Sequence, residues 1–207
     1  MMMAEATNHY FKHLGVSDGL SQVCIPSIYQ DELGAVWLGT TEGLNRYNGK
    51  DVKVFQPSES NHGLTNNEIN ELCGDKNGRM YIRSGNDLIK LDIYTEQFTC
   101  LRQKGVYGLF CKKDTLWVSC ADGIYYYTGQ GTELTFFARV QKGFVGRALY
   151  VDKETVWVVT RKYLVAISRE DPLRQEILLT LDKGNCILGD SSGNIWVGAW
   201  NGLYRVS

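Results

Sequence analysis

Short runs of alternating apolar and polar residues, separated by turn residues, extend along nearly the whole chain. The segment "AVWLGTTEGLNRYNG" (Ala35–Gly49) alternates over two such runs with a tight turn between them, and "NIWVGAWNGLYRVS" (Asn194–Ser207) is a near copy. Alternation places every second side chain on one face of a strand, and β-branched and aromatic residues are enriched in the runs. No segment shows a convincing helical period. The pattern therefore predicts an all-β protein.

The near copies belong to a longer repeat that is anchored on an aromatic residue. The anchors are spaced by 44, 36, 40 and 39 residues. A period of about 40 residues is typical of a four-stranded propeller blade. A turn that starts with Asp and ends with Gly precedes three anchors ("DELG", "DKNG" and "DSSG"). The anchors, which we expect to form the core between blades, are Trp37, Tyr81, Trp117, Trp157 and Trp196.

The repeat predicts a β-propeller of about five four-stranded blades. The last blade ends after its third strand, and "HYFKHL" (residues 9–14) alternates like a fourth strand. We therefore expect residues 9–14 to close the last blade, which would remove an exposed sheet edge. The alternative is part of a larger ring, which would leave apolar faces between blades exposed. The predicted blades are residues 20–56, 64–103, 105–140, 144–181 and 184–207, within a single domain 9–207 that follows a tail, residues 1–8, which is disordered or a gene-boundary remnant.

Small residues recur just after the anchors. Gly39, Ser119 and Gly198 stand two positions after their anchors, whereas Arg83 and Val159 occupy this position in the other repeats. We expect crowding near a central axis to select the small residues, and Arg83 to lie at the mouth of the channel.

Composition and charge exclude several classes of protein. The chain has 207 residues, 43% of them apolar, with 22 basic and 23 acidic residues and a net charge of −1. No basic block is present, so binding to nucleic acid is not expected. No apolar run approaches the ~18 residues of a membrane span, so no membrane segment is expected in this chain. The N-terminal residues lack the basic start and apolar run of a secretory signal.

The cysteines and histidines do not predict a metal site or a cofactor. None of the six cysteines forms a C-x-x-C pair, and His9, His13 and His62 have no metal-ligand spacing. We expect the cysteines to be small buried apolar residues in strands rather than a disulfide framework, because a domain of this length does not need cross-links.

Three segments carry a family resemblance. Gly19–Gly49, Gly63–Ile82 and Ile187–Val206 are similar to the two-component regulator propeller repeat, with "WLGT" and "GLNRYNG" as its most specific parts. The resemblance implies the periplasmic sensor region of a hybrid two-component histidine kinase of the Bacteroidetes, which senses oligosaccharides. In such sensors, kinase and output domains follow the propellers. No kinase motif is recognisable here, so this chain alone is expected to have no catalytic activity.

The candidate ligand site lies on the loop face that rings the channel. Turns between second and third strands share this face with the segments that enter the next blade, namely Ser17, Asp18, Asn61, His62, Asn66 and Asn67. Trp200 is expected to stack on a sugar ring, with amides and carboxylates binding the hydroxyls, unless it only packs on a neighbouring blade. The candidate ligand-binding residues are Glu42, Arg83, Asn86, Asp87, Asp122, Arg161, Lys162, Tyr163, Trp200 and Asn201.

Two other functions remain open from the sequence. Glu42, Asp87 and Asp122 are acidic turn residues that could serve as the acid pair of a propeller glycoside hydrolase or lyase. Turns favour acidic residues in any case, so we expect these three to be solvated. The second alternative is a structural or protein-interaction module that self-associates or contacts further sensor domains.

Overall fold

The computed structural model describes residues 11–58, 63–102 and 104–207. It contains five antiparallel sheets. The first sheet comprises β1 (Ser27–Gln30), β2 (Val36–Thr40), β3 (Gly43–Tyr47) and β4 (Val52–Phe55). The second comprises β5 (Ile69–Gly74), β6 (Arg79–Ser84), β7 (Asp87–Asp92) and β8 (Gln97–Arg102).

The other three sheets repeat this arrangement. The third comprises β9 (Val106–Lys112), β10 (Thr115–Cys120), β11 (Gly123–Tyr127) and β12 (Thr135–Ala138). The fourth comprises β13 (Gly146–Val151), β14 (Thr155–Thr160), β15 (Tyr163–Ser168) and β16 (Gln175–Thr180). The fifth comprises β17 (Cys186–Gly189), β18 (Ile195–Ala199) and β19 (Gly202–Val206). Among the described residues, the helical ones lie in two 3-10 helices, Val16–Asp18 and Gln141–Gly143. No helix in the described part of the chain is long and apolar enough to cross a membrane.

Strands follow one another in order within each sheet, and the sheets pack side by side. The first strands are innermost, since β1 contacts β5, β5 contacts β9, β9 contacts β13, and β13 contacts β17. Four apolar clusters fill the spaces between successive sheets. The predicted all-β propeller with about five blades is confirmed.

In three repeats the Asp that begins the turn accepts a hydrogen bond from the indole of the anchor tryptophan, and this bond explains why the two residues recur together. The carboxylate of Asp31 accepts the indole N–H of Trp37 at 2.7 Å and the backbone N–H groups of Leu33 and Ala35 at 3.0 and 2.9 Å. Equivalent bonds join Asp152 to Trp157 at 2.6 Å and Asp190 to Trp196 at 2.9 Å. One side chain thus fixes the hairpin turn and orients the anchor.

The anchors differ in burial according to their place in the row of sheets. Trp37 and Tyr81 are fully buried and Trp117 is 5% exposed, as predicted for the core between blades. Trp157 and Trp196 are only half-buried. Trp196 points away from the fourth sheet and belongs to none of the four apolar clusters.

In the first and third sheets, the small residues after the anchors are selected by the next sheet rather than by a central axis. A Cβ on Gly39 would lie 2.8 Å from Ile69 Cγ2. The buried hydroxyl of Ser119 donates to the carbonyl of Gly146 at 2.9 Å. The side chain at this position therefore has to fit the start of the following innermost strand.

The predicted closing strand is wrong for residues 11–14, while residues 9 and 10 lie outside the described residues. Residues 11–14 form no strand, and the fifth sheet has three strands. The Lys12 ammonium instead donates to the Tyr47 hydroxyl at 3.0 Å and lies 5.3 Å from the centre of its ring, so this segment lies beside the first sheet. Within the described residues no apolar cluster joins the first and fifth sheets.

Outer faces of the two end sheets remain exposed as a result. Ile28 in the first sheet is 64% exposed, and Leu188 and Leu203 in the fifth are 63% and 68% exposed.

The six cysteines are free thiols, but two of them, Cys24 and Cys186, are exposed, so the expectation of burial is wrong for this pair.

Candidate functional site

Hydrogen bonds tie each turn between second and third strands to the segment that leads into the next sheet. Gly43 donates its backbone N–H to Asn67 at 2.8 Å, Ala121 to Gly105 at 2.8 Å, and Trp200 to Asp182 at 2.9 Å. The two kinds of loop therefore lie together on one face of the molecule.

On this loop face, a cavity of about 540 Å³ opens between the fourth and fifth sheets. Arg147 lies near the start of β13, Arg161 in the turn after β14, and Trp200 in the turn after β18. The segment between β16 and β17 contributes Lys183 and Asn185. The remaining lining residues are Gly184, Cys186, Gly198 and Ala199.

Trp200 is the aromatic residue in the lining of this cavity, and 78% of its surface is accessible to solvent. The Lys183 ammonium lies 4.7 Å from the centre of its ring. An indole that is held by its backbone and open to solvent offers the flat apolar surface on which a sugar ring stacks. The alternative expectation, that Trp200 packs on a neighbouring sheet, is inconsistent with this exposure.

A second cavity of about 440 Å³ adjoins the first, because Arg147 and Arg161 line both. Its other polar side chains are Tyr107, Thr160 and Lys162. Phe144 and Val145 supply apolar surface. Among the described residues that line the two cavities there is no Asp or Glu.

Arg83 lies in a third cavity, of about 550 Å³, that is lined by the innermost strands of all five sheets. Its guanidinium is 3.4 Å from the carboxylate of Glu71, which also accepts the backbone N–H of Leu109 at 3.1 Å. Burial raises the pKa of Glu71 to about 7, against the lowering effect of Arg83 and of Leu109. The channel thus holds a carboxyl group that titrates near neutral pH.

Replacing Glu71 by glutamine is expected to stabilise the protein at pH 8. Folded Glu71 keeps its proton up to about pH 7, whereas its ordinary pKa is 4.5. The wild-type free energy of unfolding should therefore fall as pH rises between these values, and stay lower above them. We expect Glu71→Gln to remove this decline and to gain about 1–2 kcal/mol at pH 8.

Chemical denaturation at pH 5 and pH 8 measures this difference. Glu133→Gln, at an exposed position, is the matched control and should follow the wild type. A loss of stability in Glu71→Gln at pH 8 would mean that the ion pair with Arg83 outweighs the burial of the charge.

Several predicted site residues are held in structural contacts instead. Asp87 accepts the backbone N–H of Lys104 at 2.6 Å. Asp122 accepts hydrogen bonds from Arg102 at 2.7 Å and from the Tyr125 hydroxyl at 2.8 Å. Partial burial opposes ionisation of Asp122, but these two donors outweigh it and hold its pKa below the ordinary value.

Three of the predicted residues, Arg161, Lys162 and Trp200, line the two adjoining cavities, and the remaining predicted residues do not. Tyr163 packs against Phe144, with 4.9 Å between ring centres. Most of the other residues are exposed and lie in the turns or in the segments that enter the blades. Asn61 and His62 lie outside the described residues. These other residues are Glu42, Asn86, Asn201, Ser17, Asp18, Asn66 and Asn67.

Sequence reasoning missed Arg147, Lys183, Asn185 and Cys186. The segment "LDKGNC" leads into the last blade, and its position is equivalent to that of the entering segments considered for the other blades. Arg147 has no comparable signal, because a polar residue within a strand is ordinary wherever alternation exposes one face.

Comparison with known proteins agrees with the repeat. The model of the two-component regulator propeller family matches residues 19–42. Histidine kinase P4 of Formosa agariphila is 38% identical over 55 residues, which are 27% of this chain and 4% of that protein. The chain therefore spans a small part of the length of this relative.

Solved structures share the fold at low sequence identity. The extracellular domain of a hybrid two-component system from B. thetaiotaomicron superposes with a TM-score of 0.82 at 23% identity, over 95% of this chain and 30% of that one. Streptogramin B lyase superposes with a TM-score of 0.66 at 14% identity, over 91% and 70%. The family model confirms the resemblance predicted from the sequence for its first segment: residues 19–42 carry the two-component regulator propeller repeat.

Proposed function

We propose that this chain is a non-catalytic, extracytoplasmic sensing propeller that binds an oligosaccharide in the cavity between the fourth and fifth sheets. The observation that carries the proposal is the exposed indole of Trp200 at a cavity of about 540 Å³. Cavities of this size hold ligands of a few rings. Two arginines, a lysine and an asparagine around the indole provide donors for sugar hydroxyls.

Extracytoplasmic sensing is supported by the kind of protein that shares the fold. The B. thetaiotaomicron structure is an extracellular domain of a hybrid two-component system, and it matches 95% of this chain. The Formosa agariphila relative is a histidine kinase. A binding module that passes a signal to other parts of such a system needs no catalytic group of its own.

The enzyme alternative has less support, although some structural neighbours are enzymes, a lyase and a gluconolactonase among them. Of the three acidic turn residues, Asp87 accepts the backbone N–H of Lys104 and Asp122 accepts a hydrogen bond from the guanidinium of Arg102. Glu42 lies in a turn of the first sheet. No carboxylate is found among the described residues that line the two cavities beside Trp200, so a general acid of the carboxyl type is lacking there.

Cys186 provides a direct test of the site, because its thiol is exposed and lines the cavity. A panel of tetrasaccharides from plant and animal polysaccharides is screened by calorimetry, and alkylation of Cys186 by iodoacetamide is then followed by mass spectrometry. We expect a bound tetrasaccharide to slow alkylation of Cys186 at least fivefold. Cys24, exposed near the first sheet, should react at an unchanged rate.

Substitution of the indole provides the second measurement. Trp200→Ala should weaken binding at least tenfold, since loss of one stacking surface of this size removes about 1.5 kcal/mol or more. Leu203→Ala changes an exposed apolar residue of the same sheet that does not line the cavity, and it should bind as the wild type does. Equal binding by both variants, with Cys186 unprotected, would refute the site.

A further inference from the structure

We propose that the ligand is an acidic oligosaccharide, whose carboxylate or sulfate groups are bound by Arg147 and Arg161. This inference rests on the proposed function and specifies the class of sugar. It follows from the charge around the two cavities, which differs from the charge of the whole chain.

Cations are concentrated around the two adjoining cavities. Arg147 and Arg161 line both, Lys183 lines the first and Lys162 the second. The whole chain has 22 basic and 23 acidic residues, nearly equal numbers. The lining of the two cavities, with four basic residues and no Asp or Glu, is therefore much more positive than the chain as a whole. Field lines from like charges around a concave surface add up, which raises the local concentration of anions.

The two guanidinium groups are also without partners among the described residues. Four other arginines of the protein form ion pairs, for example Arg46 with Glu96 at 3.1 Å and Arg102 with Asp122 at 2.7 Å. Within the described part of the chain, the guanidinium of Arg147 and that of Arg161 form no hydrogen bond and no ion pair. Their donors are available to a ligand without breaking an existing contact.

Guanidinium chemistry then selects the ligand group. The planar fork of N–H donors matches two oxygens of a carboxylate or a sulfate, and hydrogen bonds to an ionised acceptor are about twice as strong as neutral ones. Arg147 and Arg161 lie on different strands and loops around one cavity, so they suit acidic groups on successive sugars. Trp200 supplies the apolar surface for a sugar ring between or beside them.

The experiment compares acidic oligosaccharides with neutralised counterparts of the same length. Tetragalacturonate, which carries carboxylates, is compared with its methyl ester. A carrageenan tetrasaccharide, which carries sulfates, is compared with its desulfated form, and cellotetraose represents neutral sugars. Calorimetry is performed in 50 mM and 300 mM NaCl. We expect one acidic probe to bind at least tenfold more tightly than its counterpart, and to lose affinity in the higher salt concentration.

Variants assign the effect to the two arginines. Arg147→Gln and Arg161→Gln should each weaken binding of the acidic probe about tenfold, and Arg161→Lys should recover only part of the loss because it lacks the fork. Arg174→Gln, an exposed arginine outside both cavities, is the control. Thermal melting verifies that each variant is folded.

The outcomes separate the two proposals. If a neutral tetrasaccharide binds at Trp200 and the arginine variants bind it equally well, the acidic ligand is refuted and the sensing function stands. If no acidic or neutral tetrasaccharide of this panel or the screening panel binds, both proposals are refuted. Preference for the carboxylate or the sulfate probe identifies the acidic group.

Discussion

Replacing Trp37 by alanine is expected to lower the free energy of unfolding by about 3–5 kcal/mol. The indole is fully buried, stacks on Phe55 with 5.7 Å between ring centres, and belongs to the cluster that joins the first and second sheets. Its removal leaves a cavity, and it also deprives the buried carboxylate of Asp31 of a donor at 2.7 Å. Urea denaturation followed by circular dichroism measures the loss.

Trp196→Ala is the matched control for this prediction. Its indole donates to Asp190 at 2.9 Å, as Trp37 does to Asp31, but none of the five described sheets packs over it. The N–H groups of Trp196 and Asn194 lower the pKa of Asp190 to about 2. The Asp–Trp hydrogen bond is present in both repeats, as the distances of 2.7 and 2.9 Å show. We expect Trp196→Ala to lose about 1–2 kcal/mol. Equal losses in the two variants would assign the stability to the Asp–Trp bond rather than to packing between sheets.

Much of the fold was predictable because the repeat encodes local contacts. Asp31 binds groups within six residues of itself, so turn, anchor and strand appear together in each copy of the sequence motif. Closure of the last blade was not predictable in the same way. The alternation in residues 11–14 is equally compatible with a strand and with the irregular segment that places Lys12 beside Tyr47, and pairing depends on distant residues.

The candidate site was predictable only as a face. Loop position indicated the face on which Arg161, Lys162 and Trp200 lie, since each follows a second strand, and the structure places them beside the cavities. Which loops converge depends on how the fourth and fifth sheets pack, and this brings in Arg147 and Lys183. The contact between Asp122 and Arg102 was not predictable, because a turn sequence does not reveal a long-range partner.

Packing between the fourth and fifth sheets can be tested through Gly184, whose substitution by alanine is expected to lower the free energy of unfolding by about 1–3 kcal/mol. A Cβ at this buried position would lie 2.5 Å from the carbonyl oxygen of Thr160 and 2.8 Å from Val159 Cγ1. In the first sheet the glycine is in the strand, Gly39, and the large residue is Ile69 of the next sheet. In the fourth sheet the large residue, Val159, is in the strand, and the glycine, Gly184, is in the segment that leads into the fifth sheet. Gly184 therefore leaves the space that Val159 occupies two positions after the anchor.

The same substitution should also weaken ligand binding, because Gly184 connects the packing to the site. Its backbone N–H donates to the carbonyl of Arg161 at 3.1 Å, and its neighbours Lys183 and Asn185 line the cavity. Gly15→Ala is the control, since the nearest atom to its Cβ, at 3.3 Å, belongs to the movable imidazole of His13. Gly184→Ala is measured by urea denaturation and by calorimetry with the tetrasaccharide that binds the wild type. A variant that loses stability but keeps full affinity would show that the cavity does not depend on the fit between Gly184 and the fourth sheet.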